Sequence, residues 1–318
     1  MNEALINRVL VATDFSACAR RALAYGVYVA RIWSAHMDLL HVVEMQPGLE
    51  LDASVPDPLV ELRRKESERL LGDLVSRVKR EGPSVDGRLR QGIPSEQISQ
   101  AALEQGADLV VVGTHGRTGL DHILLGSTAE RVIKQTPCPV LTVRAARIRE
   151  EERDESAPPR IQHILAPVDF SSPSLEALEY ATQVADRFGA RLTLLHVLEP
   201  VYLDLELGPG RIEDEPQKRA HRGAQLDELA QAVKRCEVAA ESLILGGIPS
   251  ESILACARGQ GCDLIVMGTH GRRGLMRFWY GSVAEAVLRQ APCPVLTVRS
   301  PKFSPGQRRV VPSTMTAS

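Results

Sequence analysis

The sequence has little excess charge of either sign, few aromatic rings and no long apolar run. Its 38 Lys and Arg against 40 Asp and Glu leave a net charge of −2, which provides no concentrated basic face for a nucleic-acid backbone. No apolar stretch approaches the roughly 20 residues that span a bilayer. The opening MNEALINRVLVATDF reads straight into a strand, without the charged, apolar and cleavage regions of a signal peptide. The six cysteines (Cys18, Cys138, Cys236, Cys256, Cys262, Cys293) include no CxxC pair, so neither zinc ligation nor thioredoxin-like exchange is indicated. The GK[ST] of a P-loop is also missing. These absences lead to the expectation of a cytoplasmic chain with no membrane or nucleic-acid partner and no metal site of its own.

What is present is a repeat. With 318 residues, 44% of them hydrophobic, the chain is long enough for two packed cores. TDFS (Thr13–Ser16) returns as VDFS (Val168–Ser171), LLHVVE (Leu39–Glu44) as LLHVLE (Leu194–Glu199), and GTHGR (Gly113–Arg117) at Gly268–Arg272, always 155 residues on. GIPSE recurs at the same offset, and QTPCPVLTVR returns as QAPCPVLTVR with nine of ten positions identical. An offset that never drifts means duplication without net insertion. The expected division is a first domain over residues 1–146, a charged, proline-ended linker over 147–160, a second domain over 161–300 and a disordered tail over 301–318.

Within each half, short apolar runs alternate with longer amphipathic ones. In the first half the pattern predicts helices over Ala17–Trp33 (capped by Ser16), Pro58–Arg80 (apolar face Leu62, Leu70, Leu74, Val78), Pro94–Gln105 and Ser127–Gln135. Strands are predicted at NRVLVATD, HMDLLHVVE, Val85–Arg90, ADLVVVG and PVLTVR. This alternation implies an α/β fold of two tandem doubly wound domains, each a five-stranded parallel sheet with helices on both faces. Ligands in such sheets bind beyond the carboxyl ends of the strands, which singles out Asp14, Val42 and Gly113.

The last of these positions opens a glycine constellation. Gly113-x2-Gly116-x9-Gly126-Ser127 follows a strand and enters a helix, and it recurs as Gly268-x2-Gly271-x9-Gly281-Ser282. Glycines after a strand are expected to turn with positive φ and to admit a ligand close to the backbone. Successive amides can form an anion nest, and a helix start adds unpaired N–H groups. Phosphate is the natural guest.

This pattern, preceded by a VDFS-type strand end, resembles the nucleotide-binding form of the universal stress protein domain over nearly the whole chain. The resemblance implies an adenine nucleotide alpha hydrolase-like fold and ATP (or ADP or AMP) at two sites per chain, with Mg2+ carried by the nucleotide. It places adenine near Asp14 with backbone contacts from Val42, and ribose and phosphates at Gly113, Gly116, Gly126 and Ser127, with Thr128 beside them. The second-domain counterparts are Asp169, Val197, Gly268, Gly271, Gly281, Ser282 and Val283. A hydroxyl that some family members carry two positions after the Ser is Ala129 here, and Ala284 in the second half.

Several of these residues have an alternative reading. Asp14 and Asp169 either meet the base or ribose or cap the following helix. Arg117 and Arg272 either pair with phosphate or lie solvated on the surface. His115 and His270 are read as loop-packing or phosphate-adjacent, His41 and His196 as satisfied structural histidines, and Cys138 and Cys293 as small buried hydrophobes. Phe278, Trp279 and Tyr280 form either a lid or ordinary packing.

The implied function is nucleotide-dependent regulation in a stress response, through an unknown protein partner. Slow ATP hydrolysis and a nucleotide-independent scaffold are the alternatives. The resemblance also implies pairing of the last strands, Val140–Arg144 with Val295–Arg299, as an internal pseudo-dimer, with a homodimer as a further option.

Overall fold

The structure is a computed structural model that describes residues 5–44, 58–114, 125–144, 159–199, 215–269, 281–299 and 310. The chain divides into two compact units, Met1–Pro159 and Arg160–Ser318. In the first, β1 (Arg8–Thr13), β2 (His36–Glu44), β3 (Val85–Gly92), β4 (Leu109–Gly113) and β5 (Val140–Val143) alternate with α1 (Ala17–Trp33), α2 (Pro58–Glu81), α3 (Pro94–Gln105) and α4 (Ser127–Gln135). Their order is β3-β2-β1-β4-β5, and every pairing is parallel.

The second unit repeats this plan. It contains β6 (His163–Pro167), β7 (Arg191–Leu198), β8 (Ala240–Gly246), β9 (Leu264–Gly268) and β10 (Val295–Val298), with α5 (Ser172–Phe188), α6 (Glu215–Arg235), α7 (Pro249–Gly259) and α8 (Ser282–Gln290). The parallel order is β8-β7-β6-β9-β10. Each unit is thus the five-stranded, doubly wound sheet that the alternation implies. Among the described residues no helix is long and apolar enough to cross a membrane.

The central strands are apolar on consecutive residues because both of their faces are covered. Val9, Leu10 and Val11 of β1 are all fully buried, and each such side chain contributes roughly 1.5–3 kcal/mol. Helix α1 starts where the Ser16 side chain accepts the Ala19 N–H and stops at Ser34 in the left-handed region. Its buried stripe includes Cys18, Ala22, Leu23, Ala30 and Trp33, at helical spacing. Gly26 lies so close to β1 that a Cβ would stand 2.4 Å from Val11 Cγ2.

Helix α2 differs from its expected face. Leu71 and Val78 are the buried residues, and Leu62 is 64% exposed. Leu70 and Leu74 are half-buried, so the C-terminal half keeps Leu70, Leu74 and Val78 of the expected face and adds Leu71, and α2 packs there on β2 and β3.

One charge is buried inside the first unit. Asp38 of β2 is fully buried, with Arg8 Nε 2.8 Å from its Oδ2 and Arg88 Nε 2.9 Å from its Oδ1. His36 and Asp86 complete a group with metal-ligand character, but each Asp38 oxygen is already paired with a guanidinium.

The second unit has Thr193 where the first has Asp38. The Thr193 hydroxyl donates to Glu241 Oε1 at 2.7 Å and lies 2.8 Å from His163 Nε2. Nε2 faces this hydroxyl, while Nδ1 lies 2.9 Å from the Arg191 guanidinium and 3.2 Å from the Gln260 carbonyl.

Candidate functional site

The strand order reverses between β1 and β4, which leaves a crevice at their carboxyl ends. The chain leaves β1 through a tight turn. Asp14 Oδ1 accepts the Ser16 N–H at 3.0 Å, and Thr13 Oγ1 accepts the Phe15 N–H at 3.1 Å. These two bonds hold Phe15 at φ 65°, a left-handed conformation costly for a bulky side chain. Phe170 sits at φ 63° after Asp169, whose Oδ1 accepts from both the Ser171 N–H (3.0 Å) and the Ser171 hydroxyl (2.5 Å). The helix caps are Ser16 and Ser171. Asp14 and Asp169 therefore shape the turn ahead of the cap.

The left-handed residue packs its ring on a histidine. The Phe15 and His41 centroids lie 4.4 Å apart, and those of Phe170 and His196 4.9 Å apart. His41 Nδ1 is 2.7 Å from the Thr13 carbonyl and His196 Nδ1 2.7 Å from the Val168 carbonyl. A carbonyl only accepts, so Nδ1 bears the hydrogen in both rings. Both histidines are buried and lie one residue before Val42 and Val197, which are half-buried at the ends of β2 and β7. In the second unit the Arg222 guanidinium also lies over the Phe170 ring, 5.0 Å from its centroid.

The glycine side of the crevice is built differently from the expectation. Gly113 and Gly268 are absent from the positive-φ glycines, while Gly126 has φ −61° and Gly281 φ −69°. Glycine is needed at the strand ends for a packing reason. A Cβ on Gly113 would stand 2.9 Å from Cys18 Sγ and 3.2 Å from the Cys18 carbonyl carbon; on Gly268 it would stand 2.7 Å from the Pro173 oxygen. The first turn of the helix after β1 or β6 lies directly against the strand end. The positive φ occurs elsewhere, at Gly92 (135°) and Gly247 (132°), ahead of α3 and α7.

Helices α4 and α8 start at this crevice. The Gly126 N–H donates to the Thr114 carbonyl at 2.7 Å, and the Gly281 N–H to the Thr269 carbonyl at 3.0 Å. Each bond ties a helix start to the residue that follows the β4 or β9 glycine. Gly126 and Gly281 are the N-caps and give no side-chain cap bond, so among the described residues no side chain caps these helix starts, and their N–H groups and positive dipole end suit an anion. Ser127 and Ser282 are exposed there, with Thr128 and Val283 half-buried beside them. Ala129 and Ala284 are buried at 3% and 4%. Both alanines thus face the core.

The structure gathers Asp14, Val42, Gly113, Gly126, Ser127 and Thr128 around the strand ends of one unit, and Asp169, Val197, Gly268, Gly281, Ser282 and Val283 around those of the other. Gly116, Arg117, Gly271 and Arg272 lie outside the described residues, as do His115, His270 and Phe278–Tyr280. Sequence reasoning missed the left-handed phenylalanines and the threonines that tether the helices. The repetition of Phe in TDFS and VDFS, and of Thr in GTHG, was the available signal. None of the six cysteines is in a disulfide, and burial, with Asp108 as a lesser cause, pushes the Cys138 thiol up to about 12. Such a thiol behaves as an apolar side chain.

A family model described as "Universal stress protein family" matches residues 6–144 and 160–299. A universal stress protein of Mycobacterium tuberculosis is 26% identical over 300 residues, covering 92% of this chain and 96% of the relative. One from Methanocaldococcus jannaschii is 34% identical over 143 residues, 45% of this chain and 84% of its own length. Among solved structures, a universal stress protein from Archaeoglobus fulgidus superposes with TM-score 0.69 at 21% identity, over 92% of this chain and 98% of that one. This last likeness concerns the fold.

Proposed function

The chain belongs to the universal stress protein family, with its domain present twice, and from that premise we propose that it is an adenine-nucleotide-binding regulatory protein with one site in each unit. One observation carries the reading: in both units a glycine-capped helix start is tied by the Gly126–Thr114 or Gly281–Thr269 bond to the end of the strand beside the order reversal. A phosphate chain fits that corner, where amide N–H groups and the dipole end favour negative charge. The base and ribose then extend toward Asp14 and Val42, or Asp169 and Val197, across the ends of β1 and β2 or of β6 and β7. Gly116 with Arg117, and Gly271 with Arg272, complete the phosphate side in this reading.

ATP is the proposed ligand, with ADP or AMP as its products or substitutes and Mg2+ arriving on the nucleotide. Occupancy is read out by a protein partner in a cytoplasmic stress response. Hydrolysis is at most slow on this reading. The test is native mass spectrometry and equilibrium dialysis of the full chain with ATP, ADP and AMP. Two equivalents of nucleotide are expected for the wild type, one for Gly116→Val or Gly271→Val, and none for the double variant. Absence of any bound nucleotide in the wild type overturns the reading. Phosphate release by the same proteins measures turnover.

A further inference from the structure

Helix α5 carries a carboxylate where its counterpart in the first unit has none. Glu179 is fully buried, and it stands at the position of Ala24 in α1. Its neighbour Tyr180 is 2% exposed, whereas Ala24 and Tyr25 of α1 are half-buried. Something therefore covers this side of α5 that does not equally cover α1. Both units share their fold and the sheet-facing stripe of the helix, so the difference lies outside the repeated core.

A buried carboxylate is expensive unless its oxygens receive hydrogen bonds. Gln183, one turn on, donates from Nε2 to Glu179 Oε1 at 3.3 Å. The other oxygen, Oε2, accepts the backbone N–H of Val310 at 2.8 Å, across 131 residues of chain. Val310 is itself buried, at 6% exposure. This donor–acceptor pair is specific to the second unit, since Glu179 and Gln183 correspond to Ala24 and Tyr28. The chain position equivalent to Val310 in the first repeat is Glu155, and α1 presents no carboxylate to receive its N–H.

From this we infer that the side of α5 around Glu179 is a docking surface whose occupant is the C-terminal segment of this same chain, held by the Glu179–Val310 bond. Two features of the contact favour this occupant. The donor is a backbone amide of this chain, and the side chain beside it is a compact β-branched residue that is itself buried. The acceptor is a charged oxygen, and hydrogen bonds to charged groups are about twice as strong as neutral ones. The docking is independent of nucleotide binding, and either proposal can fail alone.

The test uses the full chain and a truncated one. Amide exchange followed by mass spectrometry is expected to show the Val310 N–H protected in the wild type and at least tenfold faster in Glu179→Ala, with Glu179→Gln, which keeps a carbonyl acceptor, closer to the wild type. Glu179→Ala installs the residue that α1 carries, so the helix itself is expected to persist. A synthetic peptide of residues 302–318 is expected to bind a chain ending at Arg299, to bind the Glu179→Ala form of that chain at least tenfold more weakly, and not to bind the full-length wild type. Exchange of the wild-type Val310 amide at the rate of a free peptide overturns the inference. So does a truncated chain that folds yet ignores the peptide, or binds it equally with Ala at position 179.

Discussion

His41 holds the Thr13 carbonyl through its Nδ1 hydrogen at 2.7 Å, and its ring supports the left-handed Phe15 at 4.4 Å. One side chain thus fixes both the last carbonyl of β1 and the residue that turns the chain toward the helix cap. His41→Leu leaves that carbonyl buried without this donor, at a cost of about 1–3 kcal/mol. His41→Asn, whose amide nitrogen reaches the position of Nδ1, is expected to recover at least half of it. Urea denaturation midpoints measure both, and equal midpoints for the two variants count against the clamp.

The strand-end glycines are expected to be intolerant in different degrees. Gly113→Ala pushes a methyl toward Cys18 Sγ at 2.9 Å, the end of a side chain, whereas Gly268→Ala pushes it toward the Pro173 oxygen at 2.7 Å, which is backbone. Overpacking of this kind costs typically 1–3 kcal/mol, and Gly268→Ala is expected to lie at the upper end. Cys18→Ala should relieve part of the Gly113→Ala loss, because the nearest atom is removed while the Cys18 carbonyl carbon at 3.2 Å remains. Thermal unfolding of the three variants and the double variant decides whether packing accounts for the glycines.

How far this architecture is legible in the sequence depends on which forces act locally. Helices α1, α3 and α4 are readable to the residue because Ser16, Pro94 and Gly126-Ser127 punctuate them. The fold class follows from alternating apolar runs such as VLVA and LVVV. On α2 the order of burial within the face is not readable, since Leu70 and Leu71 are adjacent apolar residues and only packing on β2 and β3 makes Leu71 the more buried. The reason for Gly113 is tertiary too: nothing near it in sequence shows that α1 returns to within van der Waals contact. Phe15 has no intrinsic preference for positive φ, and its conformation is imposed by bonds from Asp14 and Thr13. The Glu179–Val310 contact spans 131 residues, a distance over which no local pattern operates.

Asp38 provides a test of buried charge. Asp38→Thr copies the second unit at one position, but it leaves Arg8 and Arg88 facing each other without their shared carboxylate. Breaking a buried pair costs about 3–5 kcal/mol, and the two arginine side chains here are roughly one-third exposed, so a value near 3 kcal/mol is expected. Adding Arg88→Leu, the residue equivalent to Leu243, should restore much of the loss because it removes one stranded cation. A double variant less stable than Asp38→Thr alone would contradict this account of the network.

His163 makes the second unit sensitive to acid. Burial, and then the Arg191 guanidinium facing Nδ1, hold its pKa below the ordinary value of about 6.5. Between the lowered folded value and 6.5 the unfolded chain binds more protons than the folded one, so stability falls as pH drops through that window. Below the folded value both states are protonated and this contribution stops changing. The first unit has Arg8 at the equivalent position. His163→Gln, which keeps a polar group for Thr193 without a basic nitrogen, is expected to flatten the dependence. Unfolding midpoints between pH 7.5 and pH 5, compared for the wild type and His163→Gln, check it: the wild type should lose stability more steeply below pH 6.5, and parallel profiles would show that other groups govern the acid response.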